Sequence, residues 1–229
     1  MGTGQIVAQI VLTPDARDQV HAKGEVQVQR LDVSKLMAAT HTVEGAGRLG
    51  GSASIDTSGT SLAGMLGAGN GKLDLYMSGG NLSALLIDLS GLEFGNALLS
   101  ALGVPDQADL RCLIGQFELR RGVLQTRTLL IDTSEAVVSG KGDIDLAHEQ
   151  LDLQIITNAK HLSIGSLKAP IEITGKFKNM HITPNLLALG LRGGVAAGLG
   201  FVFPPLALLP TIQLGVGDDN RCEALLAHK

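Results

Sequence analysis

The stretch "GKGDIDLAHEQLDLQI", residues 140–155, alternates apolar and polar side chains on both sides of a short polar turn. The apolar positions are Ile144, Leu146, Leu151, Leu153 and Ile155. Because successive side chains of a β-strand point to opposite faces, this spacing predicts a hairpin with one apolar face. A closed core, a partner protein or a bound apolar ligand would each cover that face.

Five segments between residues 109 and 178 repeat this alternation at the spacing of a β-meander. They are DLRCLIGQFELRRG, VLQTRTLLIDTS, EAVVSGKGDIDL, QLDLQIITN and APIEITGKFK. Short turns between successive strands predict an antiparallel sheet with one side in contact with solvent. In the last segment, Ile171, Ile173 and Phe177 are predicted to share the apolar face.

The first half of the chain alternates predicted strands with short predicted helices. The strands are QIVAQIVL, HAKGEVQVQRLDV, RLGGSASIDTSG and KLDLYMSGG, and the last puts Leu73, Leu75 and Met77 on one side. The apolar phase of the second strand slips around Arg30, as a β-bulge or the end of the strand would require. Helices are predicted at SKLMAA, at SLAGMLGAG and over residues 82–102. The expected fold is therefore α+β, but mostly β.

The composition excludes one class of partner. The 229 residues are 45% hydrophobic and 17% charged, which suits a globular chain with a core. The net charge of −4 provides no cationic field for phosphates, and 3% aromatic residues without Trp leave little surface for stacking bases. No nucleic acid partner is expected.

The segment LLALGLRGGVAAGLGFVFPPLALLPTIQL, residues 186–214, is apolar enough for a membrane span by hydropathy alone. Arg192 and the Pro204-Pro205 pair divide it into shorter pieces, which favours helices packed on the sheet or lying along a membrane surface. Phe201, Phe203 and Leu206 are the predicted contacts with a membrane or a partner. Because no secretory signal opens the chain, it is expected to be either cytosolic or a fragment.

The usual motifs of catalysis and metal binding are missing from the sequence. GAGRLG, residues 45–50, has the G-x-G-x-x-G spacing but precedes a predicted strand, whereas a dinucleotide site needs a following helix to hold the pyrophosphate. The six His residues include no pair at metal-ligand spacing. No cofactor, metal site or catalytic residue is therefore predicted, and the chain is not expected to be an enzyme.

Two cysteines leave two interpretations open. Cys112 begins the long meander and Cys222 lies in the short C-terminal segment NRCEALLA. A bond between them would attach the tail to the sheet and close a loop of roughly 110 residues, which is worth about 4 to 5 kcal/mol in the chain-entropy model. The alternative is two buried thiols, and only the redox compartment distinguishes these states.

Four stretches in order carry a resemblance to a known family. They are "GSASIDTSGTSLAGMLGAGNGKLDLYMSGGNLSALLIDLSGL", "CLIGQFELRRGVLQTRTLLIDTSEAVVSGKGDIDLAHEQLDLQI", "APIEITGKFKNMHITPN" and "DDNRCEALL". Together they resemble the C-terminal region of the AsmA-like family, from about residue 45 to the end of the chain. The resemblance implies a periplasmic protein, tethered to the inner membrane by an N-terminal helix that this chain lacks.

The same resemblance implies a function and a shape. AsmA-like proteins are similar to bridge-like lipid-transfer proteins, in which a long curved sheet forms a groove that shields acyl chains between two membranes. The C-terminal end is expected near the outer membrane, and an oxidising compartment favours the bond between Cys112 and Cys222. Phospholipid is the implied ligand, and the implied groove residues are Leu73, Leu75, Met77, Ile144, Leu146, Leu151, Leu153, Ile155, Ile171, Ile173 and Phe177.

Three parts of the chain are predicted to have different roles. Residues 1–44 are expected to be edge strands that continue an upstream sheet, residues 45–184 the groove with short helices, and residues 185–229 an apolar helical segment on the sheet or a membrane. Two alternatives to a lipid groove remain. One is a closed module whose helices at 82–102 and 186–214 plug the sheet, and the other is an assembly factor that binds outer-membrane proteins through a strand edge.

Overall fold

The structure is a computed structural model of the 229-residue chain. It describes residues 4–14, 19–32, 47–80, 109–160 and 170–184, together with Cys222. The helices predicted at SKLMAA, at 82–102 and at 186–214 lie outside the described residues, as do Phe201, Phe203 and Leu206.

The described chain forms one antiparallel sheet of ten strands and one short helix. The elements are β1 Gln5–Pro14, β2 Val20–Asp32, β3 Arg48–Gly59, α1 Leu62–Ala68, β4 Asn70–Ser78, β5 Leu110–Arg120, β6 Val123–Thr133, β7 Ala136–Asp145, β8 Gln150–Ala159, β9 Ile171–Lys176 and β10 Asn179–Pro184. Each strand pairs with its neighbours in sequence, so the sheet order is β1 to β10 without a crossover. The nine predicted strands and the helix at SLAGMLGAG are confirmed.

The pairing register aligns the apolar positions of all ten strands on one face. Leu153 pairs with Ile173 on one side and with Gly142 on the other, and Ala53 pairs in the same way with Val26 and Leu73. We call this side the apolar face and the opposite side, which carries residues such as Lys72 and Glu118, the polar face. The alternation seen in residues 140–155 thus extends across the whole sheet.

Glycines are concentrated on the apolar face, where the sheet curves inward. Eight of the nine glycines within the described strands lie on this face: Gly24, Gly51, Gly59, Gly71, Gly115, Gly140, Gly142 and Gly175. Gly142 has φ 137°, and a Cβ there would lie 2.0 Å from the carbonyl oxygen of Asp152. Strand glycines of this kind permit a tight bend and a close approach of backbone, which a curved sheet requires on its concave side.

The sheet has two differently constructed ends. At one end, which we call the α1 end, are α1 and the turns between β5 and β6, β7 and β8, and β9 and β10. At the other, which we call the far end, the turn between β6 and β7 is held by Thr133. The Thr133 hydroxyl donates to the Ala136 carbonyl at 2.9 Å and accepts from the Ala136 amide, also at 2.9 Å.

Two separate hydrophobic clusters lie toward the far end, one on each face. The cluster on the apolar face consists of Met77, Leu110, Val138, Ile155, Ile171 and Ile173, each at most 8% exposed. The cluster on the polar face contains Cys112, Cys222 and Ile114, with Tyr76 and Leu130 packed against it. The expectation that one side of the sheet is in contact with solvent is therefore wrong at this end, because each face carries a hydrophobic cluster.

Cys112 and Cys222 form a disulfide with a Cα–Cα distance of 6.3 Å across 110 positions of sequence. Cys112 pairs in register with Asp132 and so belongs to the polar face. The bond that the family resemblance implied is confirmed, and it attaches Cys222 to the face opposite the apolar one. Both cysteines are 2% exposed.

Two details of strand geometry differ from simple alternation. In β2 the register shifts between Val28 and Leu31, and Arg30 has φ 47°, so of the two expected alternatives the slip is a bulge and not the end of the strand. The strand APIEITGKFK ends at Lys176, and Phe177 lies in a two-residue turn that leads into β10. Placing Phe177 on the strand face with Ile171 and Ile173 was wrong, because the chain reverses before that position.

The β5–β6 turn holds the α1 end together. The Gly122 amide donates to the Gly69 carbonyl at the end of α1, and the Leu146 amide donates to the Gly122 carbonyl, both at 2.9 Å. Arg121 and Gly122 both have positive φ, as a two-residue type I′ turn requires. At Gly122, φ is 78° and a Cβ would lie 2.2 Å from the Gly67 carbonyl oxygen.

Gly122→Ala is expected to destabilise the protein by about 1 to 3 kcal/mol, because alanine is strained at this φ and its methyl group would displace α1. The free energy of unfolding from urea denaturation measures the effect. Gly50→Ala is the matched control: its Cβ would meet only Val28 O at 3.5 Å, so the change should be neutral or slightly stabilising. Equal stability of the two variants would contradict this account of the turn.

Candidate functional site

An apolar cavity of about 410 Å³ lies on the apolar face toward the α1 end. Strands β1 to β6 and the residue that follows β7 contribute apolar side chains from this face: Ile10, Ala22, Val26, Ala53, Ile55, Leu73, Leu119, Leu124 and Leu146. Gly24 also lines it, and three further lining residues, Lys23, Ser54 and Lys72, belong to the polar face by register. The volume falls within the usual range of about 300 to 1,000 Å³ for ligand sites.

The cavity exists because the sheet curls. Ile10 on β1 and Leu146 after β7 line the same cavity, although they are separated by six strand spacings. In a flat sheet those spacings would put the two residues about 29 Å apart. The sheet is therefore a curved, open trough, and the cavity lies within it toward the α1 end.

The lining restricts what the cavity can hold. Among the described residues, the side chains that the apolar face contributes to the cavity are aliphatic. Such a surface offers neither hydrogen bonds nor ionic contacts, so it suits hydrocarbon and disfavours polar or charged ligands.

The residues predicted to face lipid fall into distinct groups in the structure. Leu73 and Leu146 line the cavity. Leu75, Ile144, Leu151 and Leu153 are partly buried on the same apolar face. Met77, Ile155, Ile171 and Ile173 belong to the buried cluster at the far end, and Phe177 lies in the β9–β10 turn, 37% exposed.

Most of the cavity lining was not predicted as a site. Ile10, Val26, Ala53 and Ile55 were recognised as strand residues but not assigned to a groove, and Leu119 and Leu124 were not singled out. The sequence does indicate that these residues belong to the apolar face, because each lies in phase with the other apolar positions of its strand. What was missing was the curvature that brings β1 and the end of β7 around one space.

The polar face carries an ion-pair network near the same end. Glu118 accepts hydrogen bonds from Arg120 Nε at 2.7 Å and from Arg127 Nε at 3.0 Å. These bonds lower the pKa of Glu118 to about 2. In the β7–β8 turn, the hydrogen bond from His148 to Asp145, at 2.8 Å, likewise lowers the pKa of Asp145. Both groups stay ionised at neutral pH and keep this face hydrophilic.

Two further kinds of site are absent from the described residues. In the ranges that the structure describes, no group of three or more His, Cys, Asp or Glu side chains is arranged to hold a metal ion. Among the same residues, no helix has the length and apolar character needed to cross a membrane.

Comparison with known proteins identifies the family. The chain is 32% identical over 230 residues to the AsmA family protein YhjG of Escherichia coli strain K12, in an alignment that covers 100% of this chain. The chain belongs to the AsmA-like family. It spans about a third of the length of this curated relative, since the alignment covers 33% of YhjG. No protein-family profile matches the chain, and no solved structure matches it.

Membership of the AsmA-like family agrees with what the structure contains. The mostly β fold with one long, curved, open antiparallel sheet is the architecture that the resemblance implied. A disulfide between buried cysteines and an AsmA-like relative are together compatible with a location in the cell envelope. The open sheet and its apolar trough fit a lipid-binding groove.

Proposed function

We propose that this chain is a lipid-binding segment of an AsmA-like protein, which shields the acyl chains of phospholipids on its apolar face. The observation that carries the proposal is the cavity of about 410 Å³, lined by aliphatic side chains in an otherwise open sheet. A soluble protein normally covers such a surface, so an exposed apolar trough implies a ligand or partner. The proposed role is binding and not catalysis.

The dimensions of the trough suit an acyl chain. Strand β3 has 12 residues and therefore spans about 40 Å at roughly 3.3 Å per residue. One phospholipid tail spans about 15 Å, half of the bilayer hydrocarbon core of about 30 Å. Each strand is thus longer than one tail, and the trough has room for a tail to lie along it.

The chemistry of the lining supports low selectivity. Affinity comes from apolar area removed from water, at about 25 cal/mol per Å² before the cost of ordering the ligand. Because aliphatic groups do not recognise a head group, the trough would accept phospholipids of different classes. That property suits a conduit better than a selective receptor.

The full role proposed for the longer protein is transport of phospholipid between the inner and outer membranes, from a periplasmic position tethered to the inner membrane. Residues 1–44 would continue an upstream sheet. Strand β1 supports this, since it lies at the edge of the sheet and exposes Ile10 and Leu12 on one face and Val11 on the other, each more than 60%. Residues 200–209 remain the predicted contact with a membrane or a partner.

The first test is to purify the chain from bacteria without detergent, extract it with organic solvent and identify bound lipid by mass spectrometry. We expect about one molecule or more of phospholipid per protein, because the open trough favours hydrocarbon. This amount should far exceed the lipid extracted from a control, a soluble protein of similar size that is purified in parallel. Lipid no higher than in that control would contradict the proposal and favour a closed or docking module.

A further inference from the structure

Helix α1 stands at the end of the cavity. Gly69, directly after α1, packs against two residues that line the cavity: a Cβ there would lie 3.2 Å from Leu119 Cδ2 and 3.3 Å from Ile55 Cδ1. Gly67, within α1, lies against Ala147, which follows the lining residue Leu146. The helix therefore occupies the place where the trough reaches the α1 end of the sheet.

Helix α1 is stable only through its contacts with the sheet. It has seven residues and none of them is buried. Isolated helices shorter than about 12 to 15 residues are marginal in water, and each interior glycine costs about 1 kcal/mol relative to alanine. Gly64 and Gly67 both lie inside this helix. Ser61 caps the helix, since its hydroxyl accepts from the Gly64 amide at 3.2 Å, but one cap does not make so short a helix stable by itself.

Two hydrogen bonds join α1 and the residue after it to the sheet. The buried Thr57 hydroxyl donates to the Met65 carbonyl, and the Gly122 amide donates to the Gly69 carbonyl. Leu62 and Leu66 point outward, 75% and 36% exposed. A segment with hydrogen bonds but little buried apolar area opens at a lower free energy than the strands around it.

We propose that α1 is a lid at the α1 end of the apolar trough, which detaches from the β7–β8 turn to let a lipid tail enter or leave there. The proposal rests on the proposed lipid-binding function and adds the route by which the cavity is filled. Opening separates Gly67 from Ala147 and breaks the bond to Gly122. The exposed Leu62 and Leu66 then provide an apolar surface along which the tail passes.

The geometry offers a direct way to lock the lid. A Cβ built on Gly67 lies 3.0 Å from Ala147 Cβ, and disulfides join Cβ atoms about 3.5 to 4.5 Å apart, so a small shift accommodates the bond. The test uses Gly67→Cys with Ala147→Cys in the full 229-residue chain. Loading is followed by transfer of a fluorescent phosphatidylethanolamine from phosphatidylglycerol and phosphatidylethanolamine vesicles, with the engineered pair oxidised or reduced.

We expect oxidation to slow loading at least about tenfold and reduction to restore the wild-type rate, since gating motions limit access to such sites. Wild type under the same oxidant and reductant controls for the Cys112–Cys222 bond, and Gly67→Cys alone controls for the added side chain. Equal loading in the locked and open states would overturn the lid while leaving the groove intact. No loading by wild type in any state would overturn the proposed function itself.

A second measurement uses the wild-type protein, so that the lid can still be tested if the double-cysteine variant does not fold. Native-state hydrogen exchange should show the Met65 amide, which bonds to the Ser61 carbonyl within α1, exchanging much faster than amides of β3 and β5. Binding of phospholipid should change the exchange of α1 more than that of the far end. Protection of α1 equal to that of β3 would overturn the lid.

Discussion

Val26→Asp should lower the amount of phospholipid that copurifies with the chain at least about tenfold, a loss of about 1.4 kcal/mol or more in binding free energy. Val26 lines the cavity from the apolar face and pairs with Ala53. Aspartate is similar to valine in volume, so the change introduces a charge without added bulk. A carboxylate facing hydrocarbon must either be desolvated or keep water in the cavity, and both outcomes exclude an acyl chain.

The adjacent residue provides the matched control. Gln27 is exposed on the polar face of the same strand and pairs with Ser52, so Gln27→Asp adds the same charge on the opposite side of the sheet. Val26→Thr keeps the shape of valine with a smaller change in polarity. Bound lipid is measured by mass spectrometry, and folding by circular dichroism. If Val26→Asp retained as much lipid as Gln27→Asp in folded protein, the apolar face would not be the binding surface.

The position of the substitution matters because the apolar face is not uniform. Charged substitutions at Ile173 would be a natural choice from the strand pattern, but Ile173 is 3% exposed in the far-end cluster. A charge there would destabilise the fold and leave lipid binding untested. Val26 is only partly buried and lies at the cavity, so its substitution separates binding from folding.

Lys160→Met should destabilise the protein by about 3 to 5 kcal/mol, because it removes the buried ammonium that pairs with the fully buried Asp132 carboxylate. The Lys160 ammonium pairs with Asp132, and both side chains are 0% exposed. The pair joins the end of β6 to the residue after β8, beside the position where Asp132 pairs with Cys112. The free energy of unfolding from urea denaturation, with the disulfide intact, measures the loss.

Two further variants make this measurement specific. Lys141→Met removes an exposed lysine from the polar face of β7 and should change stability by less than about 0.5 kcal/mol. Combining Lys160→Met with Asp132→Asn removes both charges of the pair and should recover a large part of the loss, since removing one member of a buried ion pair costs more than removing both. A loss below about 1 kcal/mol for Lys160→Met alone would mean that the pair does not stabilise the far end.

The far end and the α1 end therefore differ in physical character. At the far end, a disulfide, a buried ion pair and two hydrophobic clusters resist opening. At the α1 end, a short helix with no buried residue lies next to two residues that line an apolar cavity. Stability concentrated at one end leaves the other free to move, which is what entry of a lipid tail at the α1 end requires.

The sequence by itself determined nine of the ten strands, the antiparallel order of the five strands between residues 109 and 178, and the composition of the two faces. These features depend on local period-two alternation and on turn residues, which are legible without tertiary structure. The bulge at Arg30 is an example, because a slip in the apolar phase of β2 marks it directly. The strand β10 was missed, because its six residues follow β9 after a turn of only two residues.

Only the tertiary structure decided which part of the apolar face is open. Leu73 and Met77 occupy equivalent positions on one strand, yet Leu73 lines the cavity and Met77 is buried in the far-end cluster. The alternation of apolar and polar residues cannot distinguish them. The exposure of each side chain depends on the curvature of the whole ten-stranded sheet and on contacts between residues distant in sequence. The same reason hid the pairing of Asp132 with Lys160, the attachment of Cys222 to the polar face and the position of α1 at the end of the cavity.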